Sequence, residues 1–211
     1  MKPNLSSKQS QLLDTAELLF SRKGFDGTSV RDIAEAAGIN TAMISYYFGS
    51  KEKLMEEIFE RKSMNIREKV DNLLKDESLD PLQKMYSLVD EYIEGIMARK
   101  RFHRILLCEQ IINQNPSIIQ MVEKMKTRNS ECINDLIKLG QKKGIFRKNI
   151  DIPMLTNTLV GTVSHTLLNM DFYKNYHHLE SQKDEEFERG LKKKLSVHLK
   201  NIYKAILTHE S

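Results

Sequence analysis

Tryptophan is absent from the 211 residues, and cysteine, proline and glycine number only two, four and nine. Cys108 and Cys132 are too few for a disulfide framework. They form no CxxC pair and have no histidine at ligand spacing, so a structural metal is not expected. The scarcity of proline and glycine, and the lack of alternating β-branched runs, argue against a sheet. No apolar run is long enough to span a bilayer, and Asp14 and Glu17 interrupt the N-terminal stretch MKPNLSSKQSQLLDTAELLF. Neither a signal peptide nor a membrane partner is therefore expected, and the default location is the reducing cytoplasm. Excess charge of one sign is missing too. The formal net charge is +4, and the first 51 residues carry six Lys/Arg against five Asp/Glu. Any nucleic-acid reading must rest on placed residues, not on bulk charge. There is no GxSxG, no phosphate-cradling glycine loop, no HExxH and no carboxylate pair placed for catalysis, so neither an enzyme nor a cofactor is expected.

What is present is helix-forming. Hydrophobic residues make up 40%, enough for a core, and Leu, Ile, Met, Lys and Glu are frequent. The pattern predicts an all-α chain of about nine helices. Leu12, Leu13, Ala16, Leu19 and Phe20 form a helical stripe ending near Lys23, with Ser6 or Ser7 as cap and Gly24 as terminator. Thr28 or Ser29 caps a short second helix, with Ser29 and Asp32 at the spacing of a capping box, and its inner face is Val30, Ile33, Ala34 and Ala37. Gly38 ends it. Asn40 caps a third helix from about Thr41 to Phe48, Gly49 stops that one, and Ser50 caps a fourth running to about Lys75. Further helices are expected over roughly 82–98, around 105–112, 117–141, from Pro153 to about Tyr173, and 184–207.

The two short helices joined through Gly38-Ile39-Asn40 have the spacing of a helix-turn-helix. Its second helix lies in the major groove and needs exposed side chains short enough for close approach and polar enough to meet base edges. Ile44 and Phe48 share one side as anchors. Thr41, Ala42, Ser45 and Tyr46 share the other and are the expected base-reading residues. Thr28, Ser29, Tyr47 and Lys51 are the expected phosphate contacts, since Thr28 and Ser29 lie at the start of the second helix and Lys51 at the start of the fourth.

At this point the chain resembles the TetR family of transcriptional repressors. The resemblance covers about residues 10 to 60. It rests on the A-x-x-L-F run from Ala16 to Ser29, on D-I-A-x-x-A-G from Asp32 to Gly38, and on Y-x-F-x-S-K-E-x-L from Tyr46 to Leu54. The chain departs from the family pattern at Gly49, where a lysine or polar residue is frequent, and at Ser45, where many members carry Leu or Tyr. The resemblance implies two domains, a DNA-binding domain over 1–51 and a helical effector-binding and dimerisation domain over 52–211. It implies a homodimer on double-stranded operator DNA, released when an apolar or amphipathic small molecule binds. The alternative reading is an all-helical adaptor for a protein partner.

The resemblance also places an effector pocket among the middle helices. The candidate liners are Tyr86, Met97, Phe102, His103, Cys108, Ile111, Met121, Met125, His165, Asn169 and Phe172, although Met and aromatic residues at helical spacing are more often plain core. A dimer bundle is expected from the last two long helices. Its stripes are Leu155, Leu159, Val163, Leu167 and Met170, and Phe187, Leu191, Leu195, Leu199, Ile202 and Ile206, with Gly161 and Ser164 small enough for close approach. Arg99-Lys100-Arg101 with Arg104, Lys192-Lys193-Lys194 and His177-His178 read as solvated surface.

Overall fold

The computed structural model describes residues 7–62, 66–113 and 115–208. Among these there is no strand; eleven α-helices and one π-helical segment account for the regular structure. They are α1 (Ser7–Lys23), α2 (Val30–Ala37), α3 (Thr41–Phe48), α4 (Lys51–Lys62), α5 (Ile66–Lys75), α6 (Pro81–Ala98), α7 (Lys100–Cys108), a π segment (Glu109–Asn113), α8 (Pro116–Lys142), α9 (Ile152–Leu168), α10 (Met170–Tyr176) and α11 (Asp184–Leu207). The single helix expected from Lys51 to Lys75 is seen as α4 and α5; residues 63–65 between them lie outside the described residues, as does Ser6, one of the two expected caps of α1.

The chain forms two compact units, 1–64 with 99–126, and 65–98 with 127–211. This differs from a division after residue 51, because α4 buries Leu54, Met55, Ile58 and Phe59 in the first unit. The core of that unit gathers Leu12, Ala16 and Phe20 of α1, Ile33 and Ala34 of α2, Ile44 of α3 and Phe102 and Ile105 of α7. Phe59 meets Phe102 edge to face, ring centroids 5.1 Å apart. One buried exchange is electrostatic: the Glu17 carboxylate, almost covered, pairs with Lys62 at 2.9 Å.

The second unit packs α6, α9 and α11 around Val89, Ile93, Leu155, Leu159, Val163, Leu195 and Leu199. Asp151 caps α9 by accepting from the Met154 amide at 3.0 Å, with Pro153 in the first turn. Tyr203 of α11 is buried and donates its hydroxyl to the Leu155 carbonyl at 2.9 Å. Burial raises the pKa of this phenol and of Tyr92, keeping both neutral. Outside the core, Lys192 of α11 reaches Glu94 of α6 at 2.7 Å. No described helix is long and apolar enough to cross a membrane.

Candidate nucleic-acid interface

The geometry of α2 and α3 follows from local signals. Ser29 and Asp32 close a reciprocal capping box: the Asp32 amide donates to Ser29 Oγ at 3.0 Å, and the Ser29 amide donates to Asp32 Oδ2 at 2.8 Å. These Ser29 hydrogen bonds, from its hydroxyl first, hold the Asp32 carboxyl below its usual range. Gly38 then takes a left-handed conformation, φ +66°, and turns the chain toward α3. Asn40 Oδ1 accepts from the Ala42 amide at 2.9 Å and caps α3. Ser50 Oγ accepts from the Lys53 amide and caps α4.

Within α3, Ile44 is buried at 1% exposure, while Phe48 and Tyr47 are half-buried against the first core. Thr41, Ala42, Ser45 and Tyr46 are all exposed, Tyr46 at 80%. One side of an eight-residue helix is therefore fixed in the core, and the other offers two hydroxyls, a methyl and a phenol to solvent. No side chain longer than tyrosine stands on that outer side, so the backbone can approach a groove closely.

Two expected phosphate contacts take a different place. Thr28 is fully buried and donates its hydroxyl to the Gly24 carbonyl at 2.8 Å. Lys51 folds back. Its ammonium donates to the carbonyls of Phe25 and Thr28 at 3.0 and 3.1 Å and lies 4.2 Å from the centre of the Phe25 ring. Lys51, expected as a phosphate contact at the start of α4, thus has its ammonium bound by carbonyls within the chain. Ser29 is exposed, although its hydroxyl serves the capping box. Arg31, exposed in the first turn of α2, is a cation at this end that the sequence reading passed over.

Residues 12–58 match the model of the bacterial regulatory proteins of the tetR family, and residues 81–199 match the tetracyclin repressor-like C-terminal domain. The chain belongs to the TetR family. As a member of it, the protein is a DNA-binding transcriptional regulator. Among its relatives, the HTH-type transcriptional repressor KstR2 of Mycolicibacterium smegmatis is 28% identical over 178 residues, 80% of either chain. The HTH-type transcriptional repressor NicS of Pseudomonas putida is 30% identical over 147 residues, 68% of either chain. In fold, the chain is similar to the ketosteroid transcriptional regulator KstR2 of Mycobacterium tuberculosis, with a TM-score of 0.70, 19% identity and 98% of each chain covered. The fatty acid degradation regulator FadR of Bacillus halodurans gives a TM-score of 0.69 at 20% identity, covering 94% of this chain and 97% of that one.

In this TetR-family chain most residues of the expected dimer stripes are covered within the subunit. Leu155, Leu159, Val163, Phe187, Leu191, Leu195 and Leu199 are buried within the subunit, and Leu167 and Ile202 are half-buried. Their periodicity was that of the subunit's own core. The outer side of α9 and α10 carries Met154, Leu168, Phe172 and Tyr176, each more than 60% exposed, and Val197 is exposed on α11. Gly161 and Gly190 are exposed with open space where a Cβ would stand.

The effector candidates divide between the two units. In the first, Phe102 is core, and His103 is buried, which lowers its pKa and favours the neutral ring. Cys108, Met121 and Met125 are half-buried there, and Ile111 is exposed to solvent at 69%. In the second, Met97 is core and Tyr86 is half-buried. Phe172 and His165 face solvent, and Asn169 donates to the His165 carbonyl at 2.8 Å. Ile111, His165 and Phe172 are thus surface residues, contrary to the expectation of an interior lining. An open depression of 580 Å3 along α1 is lined by Ser10, Asp14, Leu18 and Arg101 among others and includes none of the candidates.

Proposed function

We propose that this protein is a homodimeric repressor that reads operator DNA with the outer side of α3 and leaves it when a small molecule binds the C-terminal domain. The observation that carries this reading is the division of α3: Ile44 buried, and Thr41, Ala42, Ser45 and Tyr46 exposed together. Thr41 and Ser45 hydroxyls suit base edges, and the methyls of Thr41 and Ala42 suit a thymine methyl. The first-turn amides of α2, with Ser29 and Arg31 beside them, suit a flanking phosphate, as does the Tyr47 hydroxyl.

Two recognition helices must sit about one DNA turn apart, roughly 34–36 Å, to occupy successive half-sites. The outer stripe of α9–α10 and α11 suits a second copy: its apolar residues need cover, and Gly161 and Gly190 let a facing helix approach. Effector control then works by differential affinity, since a ligand that prefers the arrangement with mismatched spacing empties the operator. The structural neighbours include a ketosteroid regulator and a fatty acid degradation regulator, which supports an apolar or amphipathic effector.

Fluorescence anisotropy with duplexes tiling the DNA that flanks its gene, at ~100 mM salt, tests the reading. One duplex should be retained specifically and released by a steroid ketone or a long-chain fatty acid. Uniform weak binding to all duplexes would overturn it.

A further inference from the structure

The first unit holds an arrangement that DNA reading does not use directly. Phe25, in the connector between α1 and α2, is buried at 2%. Its N–H donates to Glu109 Oε1 at 2.9 Å, and its carbonyl accepts from the Lys51 ammonium at 3.0 Å. One residue is therefore held at both ends by groups of opposite charge, a carboxylate on its amide and an ammonium on its carbonyl. Glu109 is itself fully buried and opens the π segment Glu109–Asn113. Such wide turns concentrate at functional sites. A neighbouring bond supports the same connector: Asn115 donates its amide to Asp26 Oδ1 at 3.1 Å.

We infer that Glu109 and Lys51 are positioning residues for operator binding. They grip the Phe25 peptide, and Lys51 also holds the Thr28 carbonyl immediately before Ser29, the cap of α2. The start of α2 is thereby fixed. Gly38 and the Asn40 cap then set α3 relative to α2. Hydrogen bonds with a charged partner are about twice as strong as neutral ones, and their strength rises when water is excluded. The grip thus sets the tilt of the reading helix without touching a base. This assignment rests on the DNA-binding role of α3 and gives Lys51 a purpose other than phosphate contact.

Salt dependence and charge sign separate the two roles. The full-length protein is titrated with the duplex that the wild type retains, at several salt concentrations, as wild type, Lys51→Met, Glu109→Gln and the double variant. Positioning predicts that Lys51→Met weakens binding about tenfold with an unchanged slope of log affinity against log salt. Loss of a phosphate contact would instead lower that slope by about 0.9. Glu109→Gln should weaken binding as well, although removing a negative charge from the DNA-binding unit would on long-range electrostatics alone strengthen it. The double variant should lose little more than the worse single variant, because both act on one peptide. A reduced slope for Lys51→Met, additive losses, or tighter binding by Glu109→Gln would overturn the proposal. Hydrogen exchange on the wild type reads the grip without DNA and without relying on variants that fold. The Phe25 amide should be strongly protected, and exchange at the rate of an open loop would overturn the assignment. Retention of the duplex by the wild type reports separately on DNA binding itself.

Discussion

Helices α3 and α9 each bury an apolar side and expose the other, but the exposed sides differ in chemistry. On α3 the buried side is apolar and the exposed side is small and polar, so the outward residues are finished surface. On α9 the buried side holds Leu155, Leu159 and Val163, and the exposed side adds apolar Met154 and Leu168 to Asn157, Gly161 and His165. The difference teaches that an apolar stripe shows which side a helix buries first, not which side it uses. Exposed apolar residues in a row are the informative ones, because folding has left them uncovered.

Charge placed on either stripe of α9 gives the largest effect. Leu159→Glu should cost about 3–5 kcal/mol by leaving a buried charge unpaired, and the circular dichroism melt should fall sharply. Leu168→Glu, on a residue 68% exposed, should keep the helical spectrum and shift sedimentation from dimer to monomer. The opposite pairing of outcomes would return the dimer contact to the Leu159 stripe.

A similar contrast runs across α3. Ile44→Ala should cost about 2–5 kcal/mol in urea unfolding. Tyr46→Ala should leave stability within about 0.5 kcal/mol and weaken specific DNA binding by about 1–3 kcal/mol.

Smaller effects test single bonds. Tyr203→Phe, which removes the hydroxyl that donates to Leu155, should cost about 1 kcal/mol in the second unit. Ser29→Ala should cost roughly 0.5–1 kcal/mol through the lost cap. The Asp32 half of that box has a pH signature. Its folded pKa is depressed, so its contribution is complete above the ordinary value of 3.8 and disappears as the pH falls through the lower folded value. An acid titration of the melt should show that loss in the wild type and much less of it in Ser29→Ala.

The sequence made the short-range features readable. The caps at Ser29, Asn40 and Ser50 and the turn at Gly38 depend on residues a few positions apart, and each is found where the spacing placed it. The helix 184–207 was readable for a related reason, as Phe187, Leu191, Leu195 and Leu199 hold one face over its length. Long-range contacts were not readable. The π segment has no composition of its own, and the Glu109 contact to Phe25 joins residues 84 apart. The same holds for Lys51, whose carbonyl partners lie 26 and 23 positions earlier. The helix expected to run from Pro153 to Tyr173 breaks at Asn169, whose side chain takes the His165 carbonyl and competes with the backbone ladder.

The arrangement of α3 has a consequence for how such a protein diversifies. On the proposed reading its anchor, Ile44, supports the fold while its four exposed outward residues meet the operator. Mutations at 41, 42, 45 and 46 can therefore accumulate without a stability threshold to stop them, and a lineage can change its target site while keeping its fold. Transplanting those four side chains between relatives should carry target preference with them, whereas the Phe25 grip and the Ile44 anchor would pass unchanged from one descendant to the next.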